Sequence, residues 1–421
     1  MLHFLVDGLC ICCLHLTTVN CTHIVVTYVT YNVLAFLTQP LTGWWADRMR
    51  QKHWMLLTSV LLLTVAVALA GLMKGGLPQT TAVAFVLGLG NSLFHVWGGK
   101  QTAVTTGNDI RALGVFVSTG AFGLAVGAVF ASWTLLYAFL LTICLLAVVM
   151  LNVTSPQHVL PEGDASLLPS SFRGRGRSSC WLLALILLIV AGRSFTGEAF
   201  TADLTKGTAL ILLLGFTSMA GKMAGGWIVK GLGMWKAVLQ MVAGTILCLI
   251  GKDLHIVLLL AGLFWVNCTM PVTLYWANAL LKRREGLAFG LLAAALMPGY
   301  LLAVTGQTAL HLFAALIPTI LIEWGVLWLL LERRRKVLLS SVAVNVLTNV
   351  PLNLYVIHVN DSLGTILIGE VLVILIEAAW YWLFTRSIKQ AAIYSLLCNA
   401  ISFLIGLLFF CLTYHSLFTI K

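Results

Sequence analysis

A few ionisable residues stand inside otherwise apolar stretches, and these are the first candidates for chemistry. Asp7 lies near the start of the first apolar segment, and Arg193 lies in the second half of the seventh. A charge in a bilayer costs at least ~2.5–3.5 kcal/mol, so each residue needs a reason to be there. If both side chains face one cavity, Arg193 could bind a polar substrate and release Asp7 to take up a proton. A static ion pair that fixes helix packing is the alternative.

Two further residues have the chemistry of proton carriers. His95 lies in the fourth apolar segment, where it could relay protons or contact a substrate, or could be a buried neutral histidine. Glu198 lies near the end of the seventh segment and could be a proton entry point or a solvated helix end. The sequence shows no nucleophile–base set and no cluster of metal ligands. We therefore predict neither an enzyme nor a bound metal or cofactor.

The composition requires lipid as the main solvent of the chain. Charged residues make up 9% of the 421 positions and hydrophobic residues 60%, whereas an average soluble domain has roughly 25% charged residues. Most of the ten cysteines lie in apolar runs and act there as small hydrophobic residues. The net charge of +11 comes from short basic clusters between apolar segments, which indicates the positive-inside rule and not nucleic-acid binding.

Polar breaks divide the chain into segments that can cross a hydrocarbon core of ~30 Å. The first begins at Leu2 with no preceding Lys or Arg and contains Asp7, so we predict a membrane helix and not a cleavable signal peptide. We predict an all-α membrane protein with fifteen membrane helices, at 2–19, 23–45, 54–73, 80–98, 112–132, 134–152, 180–200, 207–229, 234–251, 254–280, 286–305, 308–331, 337–358, 363–385 and 390–415.

The longest polar interruption, 153–179, contains prolines and spaced arginines and is typical of a flexible basic linker. If the N-terminus is cytoplasmic, alternation places most of the 25 basic residues in or beside cytoplasmic loops, Lys222 among them, and the C-terminus outside. We therefore predict four parts: an N-terminal six-helix bundle, a cytoplasmic linker, a second six-helix bundle and an additional three-helix membrane module, over 1–152, 153–179, 180–331 and 332–421.

Two segments at equivalent points of the predicted bundles are similar to each other. Gly43-Trp-Trp-Ala-Asp47-Arg48 follows the second helix, and Gly226-Trp-Ile-Val-Lys230 follows the eighth. Each copy has a glycine, a charged residue four positions later, and further basic residues before the next helix. The spacing indicates an internal duplication of the kind that transporters use.

The first copy resembles the loop 2–3 signature of the major facilitator superfamily, although Arg50 replaces the usual second glycine. Within that superfamily the chain is similar to the fosmidomycin-resistance type of efflux carrier. The residues that carry this second resemblance are His3-Phe4-x-x-Asp7 in helix 1, Leu93-Phe94-His95 in helix 4 and Arg193-Ser-Phe in helix 7. The resemblance covers residues 1–331, and residues 337–415 lie outside it.

The resemblance implies two pseudo-symmetric six-helix bundles, with helices 1 and 7 lining a central cavity. It also implies that the duplicated loops clamp the two bundles together on the cytoplasmic side. The clamp residues would be Gly43, Asp47, Arg48, Gly226 and Lys230. Because Lys230 stands where the superfamily has an Asp, the second clamp is in doubt.

We predict a secondary active transporter that moves a small molecule by alternating access, with proton-coupled export as the leading form. The predicted substrate- or proton-binding residues are Asp7, His95, Arg193 and Glu198. The expected location is multi-pass in a bacterial cytoplasmic membrane, with lipid and a small-molecule substrate as partners and no nucleic acid. Import or facilitated passage of a small anionic metabolite is one alternative. A membrane receptor or scaffold that has lost transport is another.

Overall fold

The computed structural model describes residues 1–421 except 20, 22–23, 50–52, 73–75, 153–176, 202–206, 306, 331, 359–361 and 419–421. Most of the predicted linker 153–179 therefore lies outside the described residues. The described residues form fifteen helices: α1 (Leu2–Thr18), α2 (Ile24–Ala46), α3 (His53–Leu72), α4 (Leu77–Thr105), α5 (Ile110–Val129), α6 (Trp133–Asn152), α7 (Arg177–Thr201), α8 (Thr208–Leu232), α9 (Met234–Gly251), α10 (Ile256–Leu280), α11 (Glu285–Ala294, continued by Leu296–Thr305), α12 (Gln307–Leu329), α13 (Arg335–His358), α14 (Leu363–Thr385) and α15 (Ile388–Phe418).

The helical architecture follows from the apolar composition, because a helix satisfies its own backbone hydrogen bonds where lipid offers none. Among the described residues, twelve helices are long and apolar enough to cross a membrane. α1 and the stretch Leu316–Leu329 of α12 are apolar but shorter, and α13 belongs to neither group. α2 contains one π-helical turn, at Val33–Leu37. The prediction of an all-α membrane protein is confirmed.

The first compact unit, Met1–Val304, contains α1 to α11. One hydrophobic core is formed mainly by α1, α3, α4 and α6, and another by α5 and α7 to α11. α5 packs along α8, and α2 packs along α11, so these two interfaces join the halves. At the first, Gly215 of α8 faces Ala125 of α5; at the second, Gly290 of α11 faces the backbone carbonyl of Gln39. Small residues allow this close approach of backbones.

The second compact unit, Thr305–Lys421, contains α12 to α15. Its core joins Leu327 of α12 and Val344 of α13 to Tyr381 of α14 and Cys398 of α15. α12 therefore packs with the three helices that follow it. The predicted boundary at 331/332 stays a prediction, and packing places the division of the chain at 304/305.

Candidate functional site

One cavity of about 340 Å³ lies inside the first unit, and both halves of that unit line it. α1, α2, α4 and α5 supply one side of the lining, and α7, α8, α10 and α11 supply the other. Its ionisable side chains, tyrosines apart, fall into two groups. His3, Asp7 and His95 form the histidine–aspartate cluster on α1 and α4. Arg193 and Lys222 form the cation pair on α7 and α8.

The histidine–aspartate cluster is compact and nearly buried. His3 and Asp7 are one turn apart on α1, and the His3 Nε2 lies 3.2 Å from the Asp7 Oδ2. The His95 Nε2, on α4, lies 3.3 Å from the Asp7 Oδ1 and 2.8 Å from the His3 Nε2. Gly120 of α5 packs directly against the cluster, since a Cβ there would collide with the Asp7 and His3 side chains.

Backbone carbonyls orient both imidazole rings. The His3 Nδ1 lies 2.6 Å from the carbonyl oxygen of Phe116, and the His95 Nδ1 lies 3.0 Å from that of Asn91. A carbonyl can only accept, so both Nδ1 atoms carry hydrogen, and in neutral rings both Nε2 atoms present a lone pair. Two facing lone pairs beside the Asp7 carboxylate repel each other unless a cation lies between them. One proton shared between the Nε2 atoms removes this repulsion.

The spacing of the cluster fits a proton better than a metal ion. Its three donor atoms all lie within 4.8 Å of one another, and two histidines with a carboxylate are a donor set that divalent metals accept. Metal–nitrogen bonds of about 2.0–2.1 Å would hold two tetrahedral nitrogen ligands about 3.3 Å apart. The 2.8 Å between the Nε2 atoms of His3 and His95 is the distance of a hydrogen bond.

The cation pair faces the same cavity from the other half. Arg193 is buried, and its Nη1 donates to the hydroxyl of Thr273 on α10 at 3.4 Å. Lys222 lies well inside α8, so its assignment to a position beside a cytoplasmic loop was wrong. The predicted helix 207–229 contained Lys222 but placed it near the cytoplasmic end, whereas the helix continues to Leu232 and Lys222 lines the cavity. Among the described lining residues, Asp7 is the only carboxylate.

The cavity brings together three of the four predicted site residues. Asp7, His95 and Arg193 line it, whereas Glu198 is partly buried on α7 and is not part of the lining. Tyr300 lines the cavity and lies within electrostatic reach of Glu198. The sequence analysis missed His3 and Lys222 as site residues. The spacing of His3 and Asp7 by one helical turn was the available signal for the first.

A first clamp joins α2 to α11 at one end of the unit. Gly43 meets the backbone of Gly286 so closely that a Cβ would not fit. The Asp47 carboxylate accepts hydrogen bonds from the backbone N–H groups of Gly286 at 3.0 Å and Leu287 at 2.9 Å. These are unpaired donors at the start of α11, where the helix dipole favours negative charge. Lys100 of α4 pairs with Asp47 at 3.2 Å.

A second clamp joins α8 to α5, and its charged residues are arranged differently from those of the first clamp. A Cβ on Gly226 would lie 2.8 Å from the Cα of Arg111, so this glycine also permits close approach. Asp109 caps α5 itself and accepts from the Arg111 backbone N–H at 2.8 Å. The hydrogen bonds from Arg111, helped by the charge of Lys230, hold the pKa of Asp109 below its usual value. The acid thus lies at the N-terminus of α5, and the cation Lys230 lies in the last turn of α8.

Arg48, the remaining predicted clamp residue, has a different contact. Its guanidinium lies 3.4 Å from the ring centre of Trp44, on its own helix. This cation–π contact covers an exposed tryptophan and does not bridge the two halves.

A model of the Major Facilitator Superfamily matches residues 22–304, more than half of the chain. The chain belongs to this superfamily. It is therefore a multi-pass membrane protein and a secondary transporter, as predicted at this coarser level. The matched range ends where the first compact unit ends.

Three solved transporter structures are similar to this superfamily member. The E. coli fucose:proton symporter has a TM-score of 0.56 at 12% identity, over 72% of this chain and 88% of that one. A bacterial homologue of the iron transporter ferroportin, in its outward-facing state, has a TM-score of 0.46 at 12% identity, over 90% of this chain and 98% of that one. The human organic anion transporter TETRAN has a TM-score of 0.44 at 15% identity, over 73% of this chain and 93% of that one. The likeness to the symporter shows the fold alone. No curated protein sequence matches the chain.

Proposed function

We propose that this transporter couples the movement of a small organic anion to protons by alternating access. The observation that carries the proposal is the cavity itself, in which the histidine–aspartate cluster and the cation pair face each other from opposite halves. Asp7, His3 and His95 would hold the proton, and Arg193 and Lys222 would hold the anion. The resemblance to the fosmidomycin-resistance type stays a prediction.

The charge balance of the cavity supports an anionic substrate. Arg193 donates to the neutral Thr273 hydroxyl, and Asp7 is already in contact with two histidines. A buried cation needs a counter-charge, and a carboxylate or phosphate on the substrate would supply it. Tyr28 and Phe289 add aromatic surface to the lining. The expected substrate therefore combines an anionic group with an apolar or aromatic body.

The same balance links the two ligands. A shared proton in the cluster makes the cavity more positive and so favours the anion, and a bound anion favours the proton in return. Simultaneous loading corresponds to symport. The export predicted from the resemblance would instead require proton and substrate to move in opposite directions. We further propose a cytoplasmic N-terminus, which places both clamps on the cytoplasmic side.

Flux measurements on the purified protein in liposomes test this proposal. A panel of organic anions, hydrophobic cations and neutral solutes is offered under an imposed pH gradient, and proton movement is followed with a trapped pH-sensitive dye. We expect proton flux that depends on an organic anion. The sign of the flux distinguishes symport from exchange. Proton flux with the cations only, or none with any solute, would contradict the proposal.

Arg193→Ala is the sharpest variant of the anion site. Removal of one partner of a buried charge contact costs about 2–5 kcal/mol, so the apparent anion affinity should fall by a factor of about 30 or more. Lys252→Ala is the matched control, because Lys252 pairs with exposed Asp253 beyond the end of α9. Unchanged transport by a folded Arg193→Ala protein would rule out the anchor role.

A further inference from the structure

The second unit contains a sequence repeat that its helices share. Glu323 and Glu377 are 54 positions apart (377 − 323), and so are Asn345 and Asn399 (399 − 345). α12 and α13 form one hairpin, α14 and α15 form the next, and their bounds are offset by nearly the same interval. Further identical pairs share this spacing: Ile322 and Ile376, Trp328 and Trp382, Leu329 and Leu383, and Ser341 and Ser395. This unit is therefore organised as two copies of a helical hairpin.

The two hairpins also share the same side-chain hydrogen bonds. The Asn345 Nδ2 donates to the Glu323 Oε2 at 2.5 Å, and the Asn399 Nδ2 donates to the Glu377 Oε2 at 2.6 Å. Each asparagine amide also donates to the carbonyl of the serine one turn earlier, at 3.0 Å in both hairpins. Both glutamates are fully buried. Each hairpin thus places one carboxylate–amide pair in the interior of the unit.

The two pairs differ at the second carboxylate oxygen. The Glu377 Oε1 accepts from the Thr348 hydroxyl at 3.0 Å. The position that corresponds to Thr348 is Ser402, but its hydroxyl donates to the Asn399 carbonyl at 3.1 Å. The Glu323 Oε1 is left without a partner in the described part of the chain. The departure from the repeat at Thr348 and Ser402 therefore leaves one glutamate fully hydrogen-bonded and the other not.

A second unpartnered polar group lies on the next hairpin. The Tyr381 hydroxyl is fully buried and has no hydrogen-bond partner among the described residues. Tyr381 packs in the hydrophobic core to which α12 contributes. Its hydroxyl is close enough to the Glu323 carboxylate to interact with it electrostatically. A buried carboxylate oxygen and a buried hydroxyl, each without a partner, are two oxygen ligands for one small cation.

The surroundings of Glu323 make a cation necessary. The hydrogen bonds that Glu323 and Glu377 accept come from neutral amides and a neutral hydroxyl. Among the described groups, the charges that act on Glu323 most strongly belong to two further carboxylates, Glu377 and Glu370 on α14. From α15, Cys398 reaches only the backbone carbonyl of Glu323, at 3.7 Å. An ionised carboxylate without a counter-charge costs several kcal/mol in a dry interior.

We infer that Glu323 and Tyr381 bind a monovalent cation, a proton or Na⁺, at a site within the duplicated hairpins. Glu377 accepts a hydrogen bond on each carboxylate oxygen, whereas Glu323 has one oxygen without a donor and is therefore the carboxylate that takes the cation. The site is built from residues of the second unit, and neither of its two proposed ligands lines the cavity of the first unit.

The full-length protein in lipid nanodiscs tests the inference by two readouts. Thermal unfolding is measured as Na⁺ replaces choline at constant ionic strength, and infrared spectra report protonated carboxyl groups at neutral pH. If Na⁺ is the ligand, the unfolding temperature should rise with Na⁺. If a proton is the ligand, a carboxylic C=O band should be present without any Na⁺ response.

Three variants assign the response to Glu323. Glu323→Gln keeps the acceptor for Asn345 and should abolish the Na⁺ response or the carboxylic band. Tyr381→Phe keeps the ring and should weaken the Na⁺ response or shift the band. Ser402→Ala is the matched control and should behave as the native protein. The inference fails if the native protein shows neither signal. This outcome does not depend on whether the Glu323→Gln variant folds. It also fails if the signal persists in Glu323→Gln.

Discussion

At the scale of single residues, the cluster of His3, Asp7 and His95 is more informative than any one member. A lone aspartate in a membrane helix has several explanations. Two imidazoles whose Nδ1 atoms both donate to backbone carbonyls leave only Nε2 atoms to face each other, at 2.8 Å. This geometry supports the proposed proton between them, which the adjacent carboxylate would stabilise.

Asp7→Asn tests this proposal. The substitution keeps the shape of the side chain and removes the negative charge that stabilises the shared proton. We expect proton-driven accumulation of the anion to fall to the equilibrium level, while exchange of labelled for unlabelled anion persists. Both are measured in liposomes. Asp253→Asn, at an exposed carboxylate, is the control. Accumulation by Asp7→Asn at the native level would show that the cluster does not carry the coupling proton.

At the scale of helices, the two clamps use the same close approach with opposite charge arrangements. At α2 and α11 the loop carboxylate Asp47 binds the N-terminus of the opposing helix. At α8 and α5 the N-terminus of α5 carries its own carboxylate, Asp109, and the last turn of α8 supplies Lys230. The loss of the usual Asp from the second copy is therefore accompanied by an acid on the helix that it faces.

Asp47→Asn should loosen the first clamp. A carboxylate at a partly buried helix N-terminus contributes up to ~2 kcal/mol, so the ratio of closed to open molecules should fall by a factor of up to about 30. Spin labels at positions 45 and 282 would report this as a longer distance between α2 and α11. Arg48→Gln should leave the distance unchanged, because Arg48 contacts Trp44 of its own helix. Equal distances in the native and Asp47→Asn proteins would exclude a clamping role.

The connection between α12 and α13 gives a pH dependence. Burial would raise the pKa of Glu332, but hydrogen bonds from Arg334 and Tyr394 outweigh it and hold the pKa below its usual value. A depressed carboxyl pKa adds stability above the unfolded value, about 4.3, and this is lost as the pH falls through the folded value. Unfolding of the native protein should therefore become easier below about pH 4.3.

Glu332→Gln isolates that contribution. Its carboxamide cannot ionise, so the variant should be less stable than the native protein at pH 7 and equal to it in acid. Denaturant unfolding of nanodisc samples across this pH range measures the difference. Glu285→Gln, at a glutamate in the first turn of α11, serves as the control. A stability difference that is the same at every pH would show that Glu332 does not titrate in this way.

At the scale of the whole chain, alternation of fifteen helices makes a testable prediction of sidedness. If the N-terminus is cytoplasmic, positions 253 and 362 lie outside and positions 282 and 386 lie inside. Single cysteines at these positions should react with a membrane-impermeant maleimide in two groups, the first pair in intact cells and the second only after lysis. The native protein measures the background of its own cysteines. Labelling of positions 253 and 362 from opposite sides would show that the predicted number of membrane crossings between them is wrong.

The sequence predicted most of the helices but only part of the site. The physical reasons for the correct predictions differ from the reasons for the missed residues. Apolar length is a local property, so helix number and type followed from it. Asp7 and Arg193 were recognisable because charges are rare in membrane helices. Lys222 was missed because it was counted with the basic residues at the end of its helix, and only tertiary packing places it at the cavity. The orientation of His3 depends on the Phe116 carbonyl, a contact between distant residues that no local pattern contains.

The charges that line the cavity also determine its electrical behaviour. With the proton that we propose between the histidines, Arg193 and Lys222 set against Asp7 would leave two net positive charges in the substrate-free cavity. Moving each charge through the transmembrane field changes the energy by ~2.3 kcal/mol per 100 mV. A dianionic substrate would cancel both charges and make the reorientation insensitive to voltage. A monoanion would leave one charge to move, so the valence of the cargo decides whether the membrane potential assists or opposes each half of the cycle.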